Sequence, residues 1–245
     1  MSLRHAWIIA KKDLKSILRR KVVLYTTVAL PLIIGVLLPV VVEFAGRRSG
    51  GIPAAALPQY LGAFAFLFVI IPAIVPTPIA SYSIVGEKVE KSLEPLLATP
   101  VADGDILLGK SIAAFLPAML ATFAGAGVFM TLMDLVTADK LGYLYFPNWS
   151  MGVILLILAP LVALLSIEVS VLSSSRVNDV RAASQLGGLA FIPFIAIYVA
   201  GEIGVITLDT NGLLTIAAVM APLDLVLFFV SKATFQRDQI LTRWK

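Results

Sequence analysis

The sequence contains no cysteine and one histidine, His5. Disulfides, thiolate metal sites and cysteine nucleophiles are therefore excluded, and a lone histidine has no partner ligands for a metal. Charge is scarce as well. Charged residues make up 14% of the 245 and hydrophobic residues 59%, against ~25% and ~45–50% in soluble domains. That balance describes a membrane protein. The apolar runs lack the two-residue alternation of a membrane barrel, which leaves helices as the spanning structure. The net charge of +4 does not indicate a nucleic-acid partner. Seven of the nineteen basic residues (Arg4, Lys11, Lys12, Lys15, Arg19, Arg20 and Lys21) precede the first apolar run, as topology signals do.

Roughly 20 apolar residues cross a ~30 Å hydrocarbon core. Six segments qualify: 22–42, 59–82, 112–133, 151–172, 182–200 and 213–230. The expected fold is all-α, one transmembrane domain over 1–245. Prolines inside the first two and last two spans (Pro31, Pro39, Pro72, Pro76, Pro78, Pro193, Pro222) predict kinks. With both termini cytoplasmic, the inside segments hold 16 Lys/Arg and the outside loops 3. This bias predicts a multi-pass plasma-membrane protein with its N- and C-termini inside.

Residues 1–21 read as an amphipathic helix on the membrane surface. Leu3, Trp7, Ala10, Leu14 and Ile17 form one stripe, with Arg4, Lys11, Lys15 and Arg19 outside it. Trp7, Lys11, Lys15 and Arg19 are the residues expected at the lipid interface. The outside loops, 43–58, 134–150 and 201–212, are too short for a domain. The last is apolar enough for a short re-entrant or interfacial helix, between which the sequence does not decide. Asn148-Trp149-Ser150 matches the glycosylation triplet, a pattern common by chance.

The polar island at 84–111, IVGEKVEKSLEPLLATPVADGDILLGKS, organises the rest. It carries eight charges between the uncharged runs 49–86 and 111–133. Its residues 104–111 match the nucleotide-binding P-loop pattern letter for letter. That loop needs a buried strand before it and a soluble α/β domain around it, whereas here a membrane span follows. Lys110 is instead expected to snorkel to the cytoplasmic interface, and Gly109 to allow close helix approach. Val85, Val89, Leu93, Leu96 and Leu97, with charges between them, predict a short amphipathic helix over 85–94, stopped by Pro95.

Glu87-Lys-Val-Glu90-Lys-Ser-Leu-Glu94-Pro-Leu-Leu-Ala-Thr-Pro100-Val, followed by Ile106-Leu-Leu-Gly109-Lys110, resembles the type-2 permeases of ATP-binding cassette (ABC) exporters. Weaker similarities lie in KKDLKSILRRK at 11–21, in Arg176 to Gln185, and in Phe235 to Arg243, so the resemblance spans the chain. It implies six spans, an N-terminal interfacial helix, and a cytoplasmic coupling helix in segment 84–104. An ATPase would dock on 84–100 through Glu87, Glu90, Leu93, Glu94, Leu96 and Leu97. The resemblance implies a pair of ATPase subunits carrying ATP and Mg, and a second permease, identical or related. No cofactor is expected on this chain, which has no room for a nucleotide-binding domain. Cysteine absence and separate subunits fit a bacterium or archaeon.

Two carboxylates, Glu168 and Asp224, fall inside spans, where ionisable groups are costly and are functional candidates. Glu168 is expected near the cytoplasmic interface or paired with Arg176 or Arg181. Asp224 is expected either in a structural hydrogen bond or on the transport path. Ala114, Ala118, Thr122 and Gly125 give the third span a small-residue face for a neighbouring helix. Two other classes compete with the permease. An intramembrane enzyme would need a facing acid or histidine pair. A passive channel or membrane scaffold would have no ATPase partner.

Overall fold

The structure, a computed structural model, describes residues 3–48, 52–89, 99, 101–177 and 179–234. Among these every regular element is helical. The chain runs α1 (Leu3–Arg19), α2 (Lys21–Arg48), α3 (Leu57–Ile74), α4 (Thr77–Val89), α5 (Asp103–Leu141) and α6 (Trp149–Val153). A π turn (Ile154–Leu158) leads into α7 (Ala159–Arg176). Then follow α8 (Val180–Gly188), a 3₁₀ turn (Leu189–Phe191), α9 (Ile192–Glu202) and α10 (Thr210–Thr234). Six stretches are long and apolar enough to cross a membrane: Lys21–Ala45, Leu57–Glu87, Asp103–Leu141, Trp149–Ser174, Arg181–Glu202 and Thr210–Ala233. Each overlaps one of the six expected spans.

The second span is the centre of the bundle. Of its most apolar window 78% is buried, against 22% in the first, fifth and sixth spans. Phe66 and Phe68 of α3 lie in the main core with Phe129, Met133, Met151, Leu158 and Phe194, and the Phe68 and Phe129 rings pack 5.1 Å apart. The peripheral spans expose Val36, Leu37, Phe44, Leu225 and Phe229, as lipid-facing helices do.

The expected kink in span two is a break between α3 and α4 at 75–76. Pro76 and Pro78 each remove an N–H from the ladder, and hydroxyl groups cover exposed carbonyls there. Thr77 Oγ1 donates to Ile74 O at 2.8 Å, and Ser166 Oγ on α7 donates to Ala73 O at 2.6 Å. Ser166→Ala and Thr77→Val should each lower stability by about 1 kcal/mol, read as a lower thermal-melting midpoint in detergent. Pro31, Pro39 and Pro222 lie within helices that continue through them. The fourth span contains the π turn, immediately before Pro160, a feature that hydropathy does not reveal.

Helix α5 is the longest element, 39 residues or ~58 Å at 1.5 Å per residue. It therefore extends past a ~30 Å hydrocarbon core. Residues 104–111 are eight consecutive helical residues within it, so the P-loop-like pattern forms no loop. At its other end, helix replaces the loop expected from Asp134, and Gly142 terminates it at φ 75°. Asp134 then anchors the following turn by accepting from Tyr145 N at 3.0 Å and Phe146 N at 3.1 Å. Asn148 of the glycosylation triplet caps α6, accepting from Met151 N at 2.8 Å. Segment 203–209 is a turn rather than a re-entrant helix. Asp209 caps α10 by accepting from Gly212 N.

The small-residue face predicted on span three is used inside the subunit. Ala114, Ala118, Thr122 and Gly125 are all buried. At the α2–α5 crossing, a Cβ on Gly125 would lie 2.6 Å from the Pro31 carbonyl oxygen, and one on Gly35 would lie 2.5 Å from Gly125 O. The helices meet backbone to backbone there.

Candidate functional site

The site assembles where α1, α4 and the start of α5 meet, at the root of the polar island. On α1 the side packed against protein is Ala6, Ile9, Ala10 and Asp13. The predicted stripe is therefore divided: Ala10 faces protein, while Leu3 and Trp7 stay exposed with Ile8 and Leu18. Lys11, Lys15 and Arg19 are exposed too. Gly109 lets α1 close on α5, since a Cβ there would lie 2.6 Å from Ala6 O and 2.9 Å from Ile9 Cβ. This is the close approach expected of Gly109.

Lys110 departs from expectation. Rather than reaching toward water, its side chain is fully buried. An ammonium without solvent needs partners, because an unpaired buried charge costs many kcal/mol. Its Nζ donates to Glu87 Oε2 and to Ser83 O, both at 2.5 Å, and lies 3.5 Å from Asp13 Oδ2. Lys12 closes the network at 2.8 Å from Glu87 Oε1 and 3.2 Å from Asp13 Oδ1. Among the described residues two cations meet two carboxylates, so their charges balance. Half-burial works against the Lys12 charge, but Glu87 and Asp13 outweigh it and hold Lys12 above the usual lysine range. Nearby, His5 Nδ1 lies 3.7 Å from buried Asp105 Oδ2, and the Arg20 guanidinium sits 4.3 Å over the Tyr82 ring.

Three helices are thus joined by charge. Asp13 and Lys12 come from α1, Glu87 from the last turn of α4, and Lys110 from the second turn of α5. Glu87, expected on the docking face, is turned inward and buried. Glu90, Leu93, Glu94, Leu96 and Leu97, with the rest of the predicted 85–94 helix beyond Val89, lie outside the described residues. Asp224 lies elsewhere, buried on α10, and Glu168 is buried on α7. Arg181, one partner considered for Glu168, is exposed.

Asp13 is the functional residue that the stripe argument passes over. It lies on the buried side of α1 with Ala6, Ile9 and Ala10, and an acid on the apolar side of an amphipathic helix signals a buried cation. The network has no ligand set for a metal, and no cluster of three or more His, Asp or Glu exists among the described residues. Its chemistry is mechanical: it fixes α4, where the polar island begins, to α1 and α5.

Residues 7–231 match the family described as ABC-2 family transporter protein. The chain is also 26% identical over 197 residues to the "Probable ABC transporter permease protein NosY" of Stutzerimonas stutzeri, covering 80% of this chain and 68% of that protein. Six membrane-length helices agree with a multi-pass membrane protein, and a match over nearly the whole length places the chain in the ABC-2 family of transporter proteins.

Proposed function

We propose that this chain is the permease subunit of an ABC exporter, driven by separate ATPase subunits that dock on residues 84–100. ATP and Mg bind on those ATPases, and this chain holds no cofactor. Two ATPase copies serve two permeases, the second being identical or a related chain, and both termini face the cytoplasm. Export is the direction implied by the resemblance at 84–111.

The observation that carries this reading is the Lys12–Asp13–Glu87–Lys110 network at the root of the docking segment. A motor acts on a membrane bundle only through a stiff connection. Segment 84–100 leaves α4 where Glu87 is clamped to α1 and α5, so displacement of the segment is shared by three helices. The ATPase contact itself falls to Glu90, Leu93, Glu94, Leu96 and Leu97, an apolar anchor within a charged rim. Glu87 serves as the internal tether. Trp7 with Lys11, Lys15 and Arg19 seats α1 against anionic head groups. Closure of the ATPase dimer then pushes the segment, and the two bundles reorient around a path between them.

The test is affinity purification of the tagged chain from its native membrane. An ABC ATPase should co-purify, and Leu93→Asp combined with Glu94→Ala should abolish that association while the detergent-solubilised permease keeps its melting midpoint. A chain that brings down no ABC ATPase is a channel or scaffold. ATPase binding that survives the double substitution moves the docking surface away from 84–100.

A further inference from the structure

A second group of buried acids has no cation beside it among the described residues. Asp224 on α10 is 6% exposed and both its carboxylate oxygens lack a hydrogen-bond partner. Glu168 on α7 is 8% exposed, and its Oε2 lacks one too. Ser231, seven residues beyond Asp224 and so on the same side of α10, has a buried hydroxyl that is equally unsatisfied.

The two acids lie about one helical turn apart in height. Ser150 and Thr210 are hydrogen-bonded at 3.0 Å at the start of the fourth and sixth spans, which run in parallel from that bond. Counting along each helix, Glu168 lies ~27 Å and Asp224 ~21 Å from it. Helices α7 and α10 pack directly on each other.

Among the described side chains, the surrounding elements supply no counter-charge. Helix α3 has no charged residue. On α4 and α5, Glu87 and Lys110 satisfy each other. Arg181 on α8 and Lys232 on α10 are exposed. Lipid around the bundle can only deepen the desolvation. Two neighbouring carboxylates in such a place do not both ionise. A divalent metal would want more ligands than two carboxylates and a hydroxyl, and no third acid or histidine joins them among the described residues.

We propose that Glu168 and Asp224 form a proton-binding site between α7 and α10, in the half of the bundle nearer α1, where at least one carboxylic acid persists at neutral pH. The proton supplies the missing donor: a protonated carboxyl of one residue can donate to an orphan oxygen of the other. Separation of α7 from α10 would wet the pair and release that proton, so the site would load and unload with any rearrangement that opens this seam.

Infrared spectroscopy of the full chain in detergent reads this directly. Exposed carboxylates are ionised at neutral pH, so a carbonyl-stretch band of carboxylic acid, shifting in D₂O, should arise from this pair. It should be lost in the Glu168→Gln/Asp224→Asn double variant, whose amides mimic the neutral acids in shape. Asp224→Glu, which retains the acid, should keep it. A neutral-pH wild-type spectrum without the band overturns the proposal, as does a band unchanged in the double variant. Melting midpoints in sodium, potassium and calcium chloride against a choline control provide the other arm. Stabilisation by one cation that vanishes in the double variant assigns a cation site instead.

Discussion

Lys110→Met should cost about 3–5 kcal/mol of stability, the penalty for leaving a buried ion without its partner. Methionine approximates the lysine stem in length, so packing changes little and charge is what is removed. Among the described residues, Asp13 and Glu87 would then share Lys12 alone, whose side chain is 54% exposed. Lys12→Met should cost no more than about 1 kcal/mol, since solvent already screens that residue. The discriminating variant is Lys110→Met combined with Glu87→Gln, which restores neutrality. It should recover most of the loss in thermal-melting midpoint. A single variant that melts like the wild type, or a double variant that melts no higher than the single, would remove the network as the element joining α1, α4 and α5.

Gly125→Ala should destabilise by about 1–3 kcal/mol, the usual range for overpacking, with Gly125→Leu costing more. The added Cβ would meet the Pro31 carbonyl carbon, oxygen and Cβ at 2.6–2.7 Å, so backbone, not a mobile side-chain tip, has to give way. The same helix provides the control. A Cβ on Gly127 meets nothing within 4 Å, and Gly127→Ala should stabilise by about 0.5–1 kcal/mol through helix propensity. Opposite shifts in the melting midpoint from two alanines two residues apart are the expected result. Shifts of the same sign would mean that the α2–α5 crossing is not a tight contact.

The spans are legible in the sequence because hydropathy over twenty residues is a strong, local quantity, and all six runs appear as helices. The break at 75–76 is legible for the same reason, since Pro76 and Pro78 act on their own backbone. The reach of α5 beyond the apolar run is not. Asp103, Asp105 and Lys110 make its first turns look like a solvated loop, whereas the structure buries Asp105 and Lys110. Periodicity describes one segment at a time, and the Lys12–Glu87 contact joins residues 75 apart. Ion pairing across such distances leaves no local trace except an acid, Asp13, on the apolar side of its helix. The P-loop-like pattern misleads in the opposite way. Its letters are all present, yet the lysine that would hold phosphate is bound to a carboxylate.

The glycine crossing has a mechanical consequence. Helix α5 closes on the α2 backbone at Gly125, which lies ~33 Å from the Asp103 end and ~24 Å from the Leu141 end. A contact without intervening side chains can serve as a fulcrum, and α5 then becomes a rocker with unequal arms. Tilting it by about 5° carries the Asp103 end ~3 Å one way and the Leu141 end ~2 Å the other. The turn held by Asp134 would ride on the short arm, so a push at one rim of the bundle arrives at the opposite rim reversed in direction and reduced by about a quarter.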